Sequence, residues 1–116
     1  MQLAERVHLV GSGSNGFGLT DPYDCHIYLV DGGSELALID VGAGMGAEQV
    51  LENIVRAGFD ARRVGQVLCP HAHGDHSGGA ARMRERLPEA SVSASEWAGD
   101  LIRRADADGM SIGAAK

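Results

Sequence analysis

The sequence predicts an α/β fold of the α+β kind, a mixed sheet with helices on one face. Three observations carry this. The first half holds short β-branched segments separated by hairpin chemistry. The second half alternates helical spacing with short apolar runs. Seventeen glycines in 116 residues, well above ordinary usage, fall between these segments and punctuate them. The chain is read as one domain spanning 1–116, with no internal repeat and no low-complexity linker.

Taken in order, Arg6 to Val10 alternates in part and reads as a strand. A glycine-rich loop from Gly11 to Gly18 follows and runs on to Pro22. His26 to Val30 is rich in β-branched and aromatic residues and reads as the second strand. Asp31-Gly32-Gly33-Ser34 is turn chemistry, and Glu35 to Val41 is the returning strand of an antiparallel hairpin. After Gly42-Ala43-Gly44, the spacing of Val50, Leu51, Ile54 and Val55 predicts a helix from Gly46 to Ala57, with Gly58 placed as its cap. Val64 to Leu68 is a strand closed by Cys69-Pro70. Gly79 to Leu87 is a short helix with Ala80, Met83 and Leu87 inward, stopped by Pro88. Ala90 to Ala94 is a last strand. Ser93 to Ala107 reads as a helix, Ser93 and Glu96 standing in capping-box spacing and Trp97, Leu101 and Ile102 facing inward.

Composition excludes several function classes. Ten Lys plus Arg against sixteen Asp plus Glu give a net charge of −6, a poor match for nucleic acid or an anionic membrane. Aromatic residues are 4 %, too few for a row of base-stacking side chains. No apolar run reaches the roughly 18 residues of a membrane span. The N-terminus lacks the pattern of a secretory signal, and Cys25 and Cys69 form no CxxC pair, so reduced thiols in the cytoplasm are expected. Both cysteines read as small buried hydrophobes, and His8 and His26 as satisfied core or edge residues.

The chemistry is concentrated in Pro70-His71-Ala72-His73-Gly74-Asp75-His76-Ser77-Gly78-Gly79, between a strand and a helix. Residues two apart in extended backbone point the same way, so His71 and His73 can reach one cation together. Gly74 permits a sharp turn. Asp75 and His76 then project from the first turn of the next helix and can serve a second, adjacent cation. Imidazoles with one carboxylate suit zinc best, with iron or manganese as alternatives. A bound cation lowers the pKa of its water toward about 7.

These residues resemble the metallo-β-lactamase-fold hydrolase superfamily, whose hallmark His-x-His-x-Asp-His is matched by His71, His73, Asp75 and His76. Leu38-Ile39-Asp40-Val41-Gly42 is similar to its strand ending in an aspartate. The resemblance implies the N-terminal half of a four-layer αββα sandwich, usually two zinc ions, and a metal-bound hydroxide that attacks a carbonyl. It implies that His71 and His73 bind one metal and Asp75 and His76 the other. Asp75 would also be a catalytic base, and Asp40 would support the site by orienting a ligand. The residue before the first histidine is often Thr in that family and is Pro70 here. The family places a further histidine, a bridging aspartate and a last histidine downstream, whereas the 40 residues after His76 contain no histidine. The chain is therefore read as a partial domain with weak or no activity alone. One sheet face is expected to lie open, inviting self-association.

The expected substrate is a small molecule with an ester, thioester, lactone or lactam carbonyl, a thioester like that of glyoxalase II being preferred to a phosphodiester. The alternative is a non-catalytic, metal-binding remnant of such a hydrolase. Gly11 to Gly16 matches GxGxxG, but a dinucleotide site needs a helix to begin there, and the sequence runs instead toward a strand.

Overall fold

The computed structural model describes residues 1–70 and 73–94, the side chains of residues 74 and 75 excepted. Six strands form one sheet in chain order: β1 (Gln2–Ala4), β2 (Val7–Gly11), β3 (Ile27–Asp31), β4 (Leu36–Ile39), β5 (Val64–Cys69) and β6 (Ser91–Ala94). The first four are antiparallel neighbours, and β4, β5 and β6 run parallel. Helix α1 (Ala47–Arg56) and a 3-10 turn (Ala61–Arg63) connect β4 to β5. A single turn α2 (Gly74–Ser77) and helix α3 (Ala80–Arg86) connect β5 to β6. The mixed sheet with helices is the α+β architecture that the alternation of segments predicts.

Strand periodicity places the core. Ile27, Leu29, Leu36 and Leu38 are fully buried, and they cluster with Val67 and Cys69 of β5, Val50 and Ile54 of α1, and Met83 of α3. Their neighbours Tyr28, Val30, Ala37 and Ile39 point to the opposite face and are only half-buried, and Leu68 there is 37 % exposed. One sheet face thus carries the helices while the other remains apolar and partly open.

The end of α1 follows local rules. Gly58, at φ +96°, donates its N–H to the Val55 carbonyl, and Phe59 donates to Ile54, the two bonds of a Schellman cap. Asn53 on the same helix donates from Nδ2 to the Val10 carbonyl of β2 at 2.9 Å, fixing helix to sheet.

Four expectations need correction. Val55 is 59 % exposed rather than inward, because it lies roughly 100° round the helix from Ile54. Strand β1 went unforeseen, since all three of its residues are exposed and carry no burial pattern. Asp75 and His76 sit in the separate turn α2, not in the first turn of the helix that begins at Ala80. Ser93 and Ala94 belong to β6, so the helix expected from Ser93 does not start there. Its remainder, with Trp97, Leu101 and Ile102, lies outside the described residues, as does His71.

Candidate metal centre

The parallel pairing of β4 and β5 brings two loops to one sheet edge. Ile39 is in register with Leu68, so the chain leaves both strands on the same side. That carboxyl edge is where parallel sheets place their ligands. Asp40 is the first residue past β4, and its N–H donates to the Leu68 carbonyl at 2.8 Å. The loop past β5 turns at α2, where the His73 carbonyl accepts from the N–H groups of His76 and Ser77 and from the Ser77 hydroxyl. It is fastened back to the β4 end, because Val41 donates its N–H to the His76 carbonyl at 3.0 Å and Gly79 donates to Gly42 at 2.9 Å.

That fastening depends on close backbone approach. A Cβ at Gly79 would run into the Val41 carbonyl oxygen, so only glycine lets the start of α3 lie against this loop. Asp40 itself has φ +70°, a left-handed conformation that aspartate tolerates better than most side chains.

The result is a contact between the two loops. His76 Nδ1 lies 3.2 Å from Asp40 Oδ1, and both atoms are shielded from solvent. His73 is exposed. Of the four motif residues, the structure therefore sets His76 against Asp40. His71 and the side chain of Asp75 lie outside what it describes.

A cavity of about 650 Å³ opens onto this contact. Its lining includes Asp40, His76, Asp24, Cys25, His26 and Gly16. The glycine-rich loop is one of its walls. Ser12 Oγ accepts from the Phe17 N–H at 2.8 Å, and Thr20 donates its N–H to the Ser12 carbonyl, closing the loop on itself. No helix begins at Gly16, and the next element is β3, so the dinucleotide reading fails. His26 stands between the rings of Phe17 and Tyr28, at centroid distances of 6.1 and 6.3 Å. His8 is buried edge-on against Phe59, as a core residue.

Sequence reasoning missed the position of Cys25. Its sulfur, an Asp40 carboxylate oxygen and a His76 ring nitrogen all lie within 4.8 Å of one another. The hairpin carried the signal. Tyr28 pairs with Ile39 in an antiparallel register, so the segment entering β3 must run beside the segment leaving β4. Cys69, by contrast, is packed in the core. Burial, and then the Asp40 carboxylate, push its thiol up to about 11.

The model of the metallo-beta-lactamase superfamily matches residues 20–113. Solved structures agree. A B3 metallo-beta-lactamase with an active-site glutamic acid is 28 % identical, with a TM-score of 0.71, over 85 % of this chain and 33 % of its own. A metallo-beta-lactamase of Cronobacter sakazakii with a HARLDQ motif is 26 % identical, with a TM-score of 0.76, over 90 % of this chain and 37 % of its own. The subclass B3 metallo-beta-lactamase BJP-1 of Bradyrhizobium japonicum is 26 % identical, with a TM-score of 0.71, over 87 % and 34 %. The chain thus spans about a third of the length of these proteins. No curated protein matches it.

Proposed function

The chain belongs to the metallo-beta-lactamase superfamily, and on that premise we propose that it supplies the metal-binding loop of a metal-dependent hydrolase. His71 and His73 hold one divalent cation, Asp75 and His76 a second, and zinc is the metal best suited to these donors. When bound, such a cation acidifies water and polarises a carbonyl oxygen. The chain's own residues do the rest. Asp40 holds the His76 ring by the 3.2 Å contact and so fixes which nitrogen faces the cation. Asp75 is the group assigned to accept a proton during attack. The glycine-rich loop walls the cavity in which a small substrate would lie.

The substrate class is a carbonyl ester, thioester, lactone or lactam. A thioester is preferred, and the net charge of −6 argues against a nucleic acid. Cys25 and Cys69, neither of them in a disulfide, fit a reducing, cytoplasmic setting. Among the described residues no helix is long and apolar enough to cross a membrane.

The observation that supports this reading best is His76 meeting Asp40 where two parallel strands end, beside a cavity. The test is metal per chain after purification in zinc, with hydrolysis of a thioester, a lactone and a β-lactam measured alongside. Zinc is expected to be retained and to be lost in His73→Ala and His76→Ala variants. Turnover by this chain alone is expected to be weak. Absence of bound zinc in the unaltered chain overturns the reading. The alternative reading is a non-catalytic, metal-binding remnant of such a hydrolase. Retained zinc with no turnover on any of the three substrates selects it.

A further inference from the structure

We infer that Asp24 is a positioning residue for the candidate metal centre, its carboxylate holding the loop after β4 so that Asp40 reaches the His76 ring. The inference rests on the proposed metal-dependent function and adds a residue that acts through Asp40.

The loop after β4 needs holding. Asp40, Gly42 and Gly44 have φ of +70°, +72° and +112°, three left-handed residues within five positions. Left-handed backbone at a residue other than glycine is unfavourable and persists only where surrounding contacts over-determine it. On one side those contacts are the hydrogen bonds that join Val41 to His76 and Gly42 to Gly79. Asp24 supplies the other side. Its Oδ1 accepts the N–H of Ala43, three residues past Asp40, at 2.9 Å. Gly42 and Gly46 make room for the carboxylate, since a Cβ on the first would lie 2.5 Å from Oδ1 and one on the second 2.7 Å from Oδ2.

Asp24 is itself fixed by local structure. Asp21-Pro22-Tyr23-Asp24 is a tight turn, in which Asp24 donates its N–H to the Asp21 carbonyl at 2.9 Å and Tyr23 donates to the Asp21 carboxylate at 3.0 Å. Ser14 donates its N–H to the Pro22 carbonyl, tying this turn to the glycine-rich loop. Asp24 is 8 % exposed. Its Oδ2 lies beside Gly46, where α1 begins, and the positive end of the helix dipole favours a carboxylate there. Oδ2 accepts no hydrogen bond among the described residues, so the hydrogen-bonded grip on the loop is made by Oδ1 alone. An asparagine can make the same bond and an alanine cannot.

The test uses the full chain and reads His76 first without metal. Nitrogen-15 NMR in mildly alkaline buffer, where free imidazole is neutral, reports which ring nitrogen carries the proton. With Asp40 opposite Nδ1, the Nδ1–H form is expected in the unaltered chain and in Asp24→Asn, and a shift toward the Nε2–H form in Asp24→Ala. Zinc affinity, from competition with a chelator, should fall about tenfold in Asp24→Ala and recover in Asp24→Asn. Asp31→Ala is the control for simple destabilisation, because it removes a side-chain acceptor from the Gly33 N–H at the other end of the hairpin. It should leave the His76 signal unchanged. A folded Asp24→Ala chain with the His76 signal of the unaltered chain overturns the inference. So does an Asp24→Asn chain that behaves like Asp24→Ala, or an equal change in Asp31→Ala. If Asp24→Ala does not fold, hydrogen exchange in the unaltered chain decides. The Ala43 amide is expected to exchange roughly a hundredfold more slowly than in an open chain, and exchange at the open-chain rate overturns the contact. An unaltered chain that binds no zinc overturns the proposed function, while the His76 comparison still decides the role of Asp24.

Discussion

His76 Nδ1 stands 3.2 Å from Asp40 Oδ1, joining the loop after β5 to the end of β4. Their pairing follows from parallel register, since Ile39 beside Leu68 sets the two strand exits side by side. An Asp40→Asn substitution keeps a side chain that tolerates φ +70° but removes the charge. The fold should survive, and zinc affinity should fall about 10–100-fold. Competition titration against a chromogenic chelator reads the affinity, and far-ultraviolet circular dichroism reads the fold. Unchanged affinity would show that Asp40 does not orient His76 for the metal.

Metal binding should be visible as stability. A ligand that binds only the folded state adds about 2.7 kcal/mol at one hundred times its Kd. For a chain of 116 residues this corresponds to a rise in Tm of roughly 10 °C. Differential scanning fluorimetry with zinc, then with excess EDTA, should show the rise and its reversal. Magnesium should produce much less, because imidazole nitrogen donors serve it poorly.

Gly79→Ala is expected to cost about 2 kcal/mol, since the new methyl group meets the Val41 carbonyl and backbone cannot step aside as a side chain would. The same displacement would strain the Val41–His76 and Gly79–Gly42 hydrogen bonds. Urea denaturation should therefore report a lower midpoint and, in the same variant, zinc affinity should weaken. A midpoint equal to that of the unaltered chain would mean that the loop yields more easily than its packing implies.

Much of this fold was legible because burial and turn chemistry coincide. The β3–β4 hairpin was readable from alternation and from Asp31, whose Oδ1 accepts the Gly33 N–H at 2.9 Å. Helix α1 was readable from its stripe and from Gly58. What escaped had no such signature. Strand β1 buries nothing, so no periodicity announces it. Turn α2 is set by the fastening of His76 to Val41, a contact between residues 35 positions apart in the chain, not by local propensity. For the candidate site, histidine and aspartate spacing pointed to the loop, while Cys25 and Asp24 carried no local pattern. Their place depends on hairpin register, which had to be extended two residues past the strand for Cys25 and three for Asp24.

The two sheet faces should respond differently to adjacent substitutions. Leu38 is fully buried beneath the helices, and Leu68 on the opposite face is 37 % exposed. Leu38→Asp buries a carboxylate among apolar neighbours and should cost more than about 4 kcal/mol, enough to unfold a marginal domain. Leu68→Thr keeps a strand-favouring residue at a half-open position and should change stability by less than about 1 kcal/mol. Comparing the two by chemical denaturation tests the assigned register. A one-residue slip between β4 and β5 would put Leu68 on the helix face, and both substitutions would then be severe.

Cys69 offers a test through alkali. Its thiol is 1 % exposed, and burial followed by the nearby Asp40 carboxylate raises it from its ordinary 9.0 to about 11. Between these values the unfolded chain releases the proton while the folded chain keeps it. The unfolded state thus binds fewer protons, and stability falls as pH rises through this window. Above about 11 both states have ionised and the loss levels off. A shift of this size corresponds to at most about 2–3 kcal/mol. In metal-free protein, Cys69→Ala removes the titrating group, so its stability should decline less steeply between pH 9 and 11 than that of the unaltered chain. The substitution also deletes some core packing, but that loss is independent of pH and separates as a constant offset. Parallel stability curves across the window would show that the Cys69 thiol does not hold its proton against alkali in the folded chain.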